Sequence, residues 1–169
     1  GERPVQPPLK PGTWVGPSGE QESEEDDQES DCSVAIVQDL GASLQQSAAI
    51  VHHWATWCES CIEEMPMLRT LMSRSPVAVL GVSWDAFEAE SAQACVSDVR
   101  SVAEELGFSV PQLILDIKPD AFFDEMKMTF KQVPQTWLVN SEGETIFRID
   151  GVLDEDGLEA LLRAAEEVQ

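Results

Sequence analysis

From Val34 onward, short apolar runs alternate with stretches whose apolar residues recur every three or four positions. That alternation is the pattern of an α/β layer fold, with strands and helices following one another along the chain. Residues 34–38 read as a strand and residues 48–54 as a buried central one. Residues 59–74 place Ile62, Met65, Leu68 and Met72 at helical steps, with Pro66 as the expected kink. Residues 77–83 are nearly all apolar, as expected of a strand covered on both faces. A helix is predicted over 89–106 with Gly107 as its cap, a short strand over 112–116, and a helix over 120–128. Residues 136–140 and 145–149 flank Ser141-Glu142-Gly143 and predict a hairpin turning at Gly143. Residues 154–168 form the closing helix, with Leu158, Leu161 and Leu162 on its core face.

Residues 1–31 break this pattern, with five prolines, a run of acidic residues from Glu20 to Asp31 and no hydrophobic period. Such a segment cannot bury enough apolar surface to offset its ordering entropy, so it reads as a flexible tail or tether. Within it, Trp14-Val15 is either a short docked piece or an exposed linker tryptophan. One domain, residues 32–169, follows, since 169 residues suffice for one core and not for two. The net charge is −22, and residues 32–169 alone carry 23 Asp or Glu against 8 Lys or Arg. A field of that sign repels nucleic acid and anionic membranes and favours basic partners. No apolar run approaches the length of a membrane span, and a start at Gly1-Glu2-Arg3-Pro4 fits a trimmed mature form.

Chemistry concentrates at Trp54-Ala-Thr-Trp-Cys-Glu-Ser-Cys61, which holds two of the four cysteines in the one C-x-x-C of the chain. A strand running into C-x-x-C and then a helix puts Cys58 at the helix N-terminus, where unpaired N–H groups favour a thiolate. Cys58 is therefore the expected nucleophile and Cys61, one turn on, the resolving thiol. Glu59 sits beside the thiolate and should raise its pKa, which points to a reducing or intermediate couple. Glu64 lies one turn beyond Cys61. It reads either as a surface carboxylate or as a partly buried one that exchanges the Cys61 proton.

Val133-Pro134 precedes the hairpin, and a cis bond there would present the Val133 backbone to an extended substrate. A trans proline is the commoner arrangement at a strand start; the C-x-x-C context favours cis. His52 and His53 are adjacent on the central strand and so point to opposite faces. Each is either a hydrogen-bonded core residue or a proton relay, with His52 the stronger candidate for the relay. Cys95 reads as a small buried hydrophobe. For Cys32, a thiol, a mixed disulfide and a bond to Cys95 all stay open.

With Trp54-Ala-Thr-Trp-Cys-x-x-Cys61, Glu64, Pro66 and Pro134 in place, residues 34–168 resemble the thioredoxin superfamily, and most closely its TlpA/ResA-type thiol-disulfide oxidoreductases. The resemblance implies a thioredoxin fold, a central mixed sheet flanked by helices with an αβ insertion over 84–116, before a cis-proline loop. It assigns attack to Cys58, resolution to Cys61, tuning to Glu64 and substrate contact to the Pro134 loop, with Trp57 and Val133 beside it. It further implies reduction of protein disulfides, such as those of apocytochrome c or envelope proteins, with an upstream redox donor, no cofactor, and a monomer. The implied location is the bacterial periplasm or cell-envelope exterior, with an N-terminal anchor in the precursor. The chain departs from the family at Ser60, where a proline is frequent, at His53, where an aromatic is usual, and at His52, where Asp or Asn is common. The peroxidase pattern P-x-x-x-T-x-x-C is absent around Cys58. The alternative outside redox chemistry is a copper or zinc module built from Cys58, Cys61 and a nearby histidine.

Overall fold

The computed structural model describes residues 32–168. The expected tail and its Trp14-Val15 segment lie outside the described residues. Six strands form one sheet in the order β1-β4-β3-β2-β5-β6. They are β1 (Val34–Val37), β2 (Ala49–Trp54), β3 (Ala78–Ser83), β4 (Gln112–Leu115), β5 (Gln135–Val139) and β6 (Thr145–Asp150). The pairs β1/β4, β4/β3 and β3/β2 are parallel, whereas β2/β5 and β5/β6 are antiparallel. The mixed sheet flanked by helices is thus the architecture expected of the sequence.

Every residue of β2 and β3 is buried, because helices cover both faces of the sheet. Ile50 and Trp54 pack on one face against Leu68 and Leu71 of α3 (Met65–Arg74), Val99 and Ala103 of α4 (Val96–Glu105) and Leu158 and Leu161 of α6 (Glu155–Val168). Ala49 and Val51 pack on the other face, against Leu40 of α1 (Leu40–Ser43) and Phe122 of α5 (Pro119–Glu125). Among the described residues no helix is long and apolar enough to cross a membrane.

Three helices differ from expectation. The kinked helix over 59–74 is two helices, α2 (Glu59–Glu63) and α3, and the break falls at Glu64 rather than Pro66. Pro66 has no N–H to donate and its ring crowds the carbonyl one turn back, so the chain restarts just ahead of it, with proline in the first turn of α3. The helix over 89–106 starts only at Val96, after two 3₁₀ turns at Asp85–Glu88 and Gln93–Cys95. The helix over 120–128 covers Pro119–Glu125, with Pro119 opening it. Gly107 and Gly143 adopt φ of +77° and +84°, as their cap and turn positions require.

The segment between β3 and α5 contributes α4 and inserts β4 between β1 and β3. Its Gln112 carboxamide lies across Gly81 of β3, where an added Cβ would occupy the same space. From there Gln112 Oε1 accepts the Trp54 indole N–H at 2.9 Å, while Gln112 Nε2 donates to the Phe108 carbonyl at 3.3 Å. Gly81→Ala should displace a buried carboxamide and break both bonds, at a cost of about 1–3 kcal/mol. Urea unfolding of the oxidised protein measures that cost, and an unchanged midpoint would count against this account of Gly81.

Candidate active site

The C-terminal ends of β2 and β3 carry the site, where α/β sheets commonly leave a crevice. After Trp54 the chain turns through Ala55, whose carbonyl accepts the Cys58 N–H at 3.1 Å. Asp85, just past β3, holds this turn: its Oδ1 accepts the Thr56 backbone N–H at 2.9 Å and the Thr56 hydroxyl at 3.1 Å. Its Oδ2 accepts the Ser83 hydroxyl at 3.0 Å. Burial pushes the Asp85 carboxyl up from its ordinary pKa, against the opposing pull of these hydrogen bonds, and Asp98 adds slightly to the rise.

Cys58 is the N-cap of α2 and is disulfide-bonded to Cys61. The Cys61 backbone N–H donates to Cys58 Sγ at 3.2 Å, an arrangement that favours a thiolate over a thiol at such a position. The five-residue α2 limits this support to its own first-turn amides, which is where a helix terminus acts in any case. Ser60 Oγ lies 3.6 Å from the same sulfur, so the residue standing in place of proline brings a hydroxyl to it. Cys58 is 6 % exposed and Cys61 fully buried. Among the described residues Trp57 is the most exposed of the large apolar ones, at 55 %.

The Val133–Pro134 peptide bond is cis, and the Val133 carbonyl oxygen lies 3.9 Å from Cys58 Sγ. Glu64 is buried at the junction of α2 and α3, so the surface reading of this residue does not hold. Its Oε2 accepts the backbone N–H of Leu153, in the loop before α6. Its Oε1 faces His52 Nε2 at 3.2 Å, both side chains fully buried, without the alignment of a hydrogen bond. The other imidazole nitrogen, His52 Nδ1, is 3.0 Å from the Thr136 hydroxyl, directly across the β2/β5 register. Thr136, His52 and Glu64 thus form a buried polar row on the face of the sheet that also packs Cys58 and Cys61.

His53 points to the opposite face. Its Nδ1 accepts the Trp84 indole N–H at 2.9 Å, and its ring packs on Trp137 with centroids 4.1 Å apart. Burial, then the neighbouring His52 and Arg148, hold its pKa well below the ordinary histidine value. The sheet separates it from the dithiol, so Cys58, Cys61 and both histidines cannot share one metal ion. Among the described residues no cluster of three or more His, Cys, Asp or Glu has a metal-binding arrangement. Cys32 and Cys95 are buried thiols. Burial and then Glu104 push Cys32 up to about 12, while burial, Asp85 and Asp98 raise Cys95.

The sequence pattern missed Asp85, Thr136 and the Leu153 amide. A carboxylate just past an apolar strand signals Asp85 by its place at the strand's C-terminal end. The other two depend on strand register and loop approach, which no local pattern records.

No family model matches the chain, and no curated protein matches it. Solved structures do. The chain is similar to the thioredoxin-related protein from Neisseria meningitidis serogroup B, at 21 % identity over 78 % of this chain and 93 % of that one, with a TM-score of 0.56. It is similar to the thioredoxin domain of a thiol-disulfide oxidoreductase from Bacteroides vulgatus, at 21 % identity over 75 % and 82 %, with a TM-score of 0.52. It is also similar to the exposed lipoprotein thioredoxin Etrx1 from Streptococcus pneumoniae, at 16 % identity over 75 % and 89 %, with a TM-score of 0.52. The chain has the thioredoxin fold, with a C-x-x-C disulfide where its central strand runs into a helix.

The neutral state of His53 makes the fold sensitive to acid. A histidine whose folded pKa is depressed contributes stability that is complete above about pH 6.5. That stability is lost as pH falls below it, at about 1.4 kcal/mol per pH unit for one proton. Unfolding free energies of wild type and His53→Phe, measured at about pH 7.5 and pH 5.5, should show the wild type losing about 1 kcal/mol more than the variant. Equal losses would remove His53 from the acid response.

Proposed function

We propose that the chain is a thiol-disulfide oxidoreductase that reduces protein disulfides. The observation that carries this reading is the asymmetry of the Cys58–Cys61 disulfide: Cys58 sits at the helix start with an amide aimed at its sulfur, and Cys61 is sealed beneath it. In the reduced protein the Cys58 thiolate attacks one sulfur of a substrate disulfide, forms a mixed disulfide and expels the other sulfur as a thiolate. Cys61 then loses its proton and attacks Cys58 Sγ, which releases the substrate's second thiolate and closes Cys58–Cys61. Two electrons pass to the substrate, and an upstream two-electron thiol donor restores the dithiol.

Glu64 is the acceptor for the Cys61 proton, three residues on and buried, with His52 and Thr136 behind it as the relay. Val133 and Pro134 form the edge along which the substrate segment lies, with the exposed Trp57 beside Cys58 as a further contact. Glu59, exposed beside Cys58, favours the reducing direction by opposing a second negative charge. A location in the bacterial periplasm or on the outer side of the envelope fits this chemistry. The name of the pneumococcal exposed lipoprotein thioredoxin supports that location, where apocytochrome c and other envelope thiols are available substrates. The chain acts as a monomer on this reading.

The redox equilibrium of the pair against dithiothreitol tests the direction. A potential near or below about −270 mV is expected, and one near about −120 mV would make the protein an oxidant instead. Because Trp57 adjoins the disulfide, reduction should raise tryptophan emission in the wild type and leave Cys58→Ser unchanged. Glu64→Gln keeps an oxygen for the Leu153 amide and removes the proton acceptor. It should slow closure of the mixed disulfide by about 10²-fold while leaving the first attack by Cys58 within a few-fold. Unaltered closure in stopped-flow fluorescence would remove Glu64 from the proton path.

A further inference from the structure

Four large apolar side chains stand exposed among the described residues, Trp57, Ile62, Ile146 and Val152, and three of them lie next to Cys58, to Cys61 or in the loop bonded to Glu64. Trp57 and Ile62 flank Cys58 and Cys61 along the chain. Val152 precedes Leu153, whose amide is bonded to Glu64, so its loop abuts the start of α3 just behind Cys61. Single exposed apolar residues are ordinary on a protein surface, but three on the segments that carry the dithiol and the Glu64-bound loop form a patch for a partner.

The charges around that patch have one sign. Glu59 and Glu63 are exposed on α2, and Asp154 and Glu155 are exposed just beyond Val152. Residues 56–66 and 150–156 contain no Lys or Arg. The nearest cations along the chain, Arg69 and Arg148, are both engaged, Arg69 Nη1 donating to the Leu106 carbonyl at 2.6 Å. The Arg148 guanidinium lies over the Trp137 ring at 4.3 Å, and the Lys131 ammonium is 5.9 Å from the centre of the Phe123 ring.

We propose that the partner polypeptide presents its cysteine in a segment that combines apolar and cationic side chains. The proposal rests on the exchange reading given above and adds the substrate class to it. The apolar side chains cover Trp57, Ile62 and Val152, while lysines or arginines beside them meet the carboxylates of α2 and of the loop leading into α6. Anionic thiol partners are repelled by the same rim. Complementary charge of this kind acts mainly on encounter, raising association rates by about 10- to 10³-fold at low salt and fading as salt screens it.

The test uses two synthetic peptides whose one cysteine is held as a mixed disulfide with glutathione. In both it is flanked by leucines, with lysines beyond them in one peptide and glutamates in the other. Oxidation of the reduced full chain is followed by tryptophan emission at about 20 mM and about 500 mM salt. The lysine peptide should react at least about tenfold faster than the glutamate peptide at low salt, with the ratio collapsing toward one at high salt. In the double variant Glu63→Lys, Glu155→Lys the low-salt ratio should fall by about tenfold, and comparing two peptides on one variant cancels any change in thiol reactivity. Replacing the leucines of the lysine peptide by serines should slow it several-fold. A ratio near one at low salt, a ratio indifferent to salt and to the double variant, or a serine peptide as fast as the leucine one would overturn the proposal. Failure of both peptides, together with no response to dithiothreitol, would instead sink the exchange reading beneath it.

Discussion

The site depends on a strand that cannot move. β2 is paired on both edges, parallel to β3 and antiparallel to β5, and buried on both faces. A strand fixed on four sides delivers the residues after its last position to one place in the molecule. Each neighbour then contributes from its own end: Asp85 from just beyond β3, Thr136 from the start of β5, and the Val133 carbonyl from the loop before it. The dithiol is therefore held by elements far apart in the chain, and α2 itself, only five residues long, needs to supply little beyond its first-turn amides.

That division explains what could be read from the chain and what could not. The strand, the C-x-x-C and the helix after it are local and periodic, so the place of Cys58 and Cys61 at the end of a central strand was legible from residues 48–68 alone. The opposite orientation of His52 and His53 followed from the two-residue period of a strand, and the structure bears it out. The break at Glu64 was misplaced onto Pro66 because proline disrupts the helix N-terminal to itself. Glu64 is buried at that break, three residues after the buried Cys61. The His52–Thr136 contact follows from the register between β2 and β5, and the Leu153 amide from the approach of the loop before α6. Both are tertiary facts, and neither leaves a mark in local composition.

The two histidines also show how one dipeptide serves two ends. His53 is held neutral among Trp84, Phe122 and Trp137, where an imidazole accepts one indole N–H and otherwise packs as an aromatic. It occupies the place of a core aromatic and contributes to packing at the cost of acid sensitivity. His52, one residue earlier, has a polar group at each nitrogen. A buried polar row of this kind is costly unless its members satisfy one another. The unaligned His52–Glu64 contact is its weakest link.

The insertion of α4 and β4 bears on the same strand from the other side. Gln112 reaches Trp54 only because residue 81 lacks a side chain, so the glycine in β3, the glutamine in β4 and the first tryptophan of the motif act as one unit. Phe108 closes that unit by packing edge-on against both His52 and Trp54. The inserted segment therefore braces the residues beneath the dithiol and leaves the surface around Cys58 to α2 and the loops before β5 and α6. Those loops and the buried row are joined where the Leu153 amide, in the loop before α6, donates to Glu64 Oε2, so a change in that loop also reaches the row.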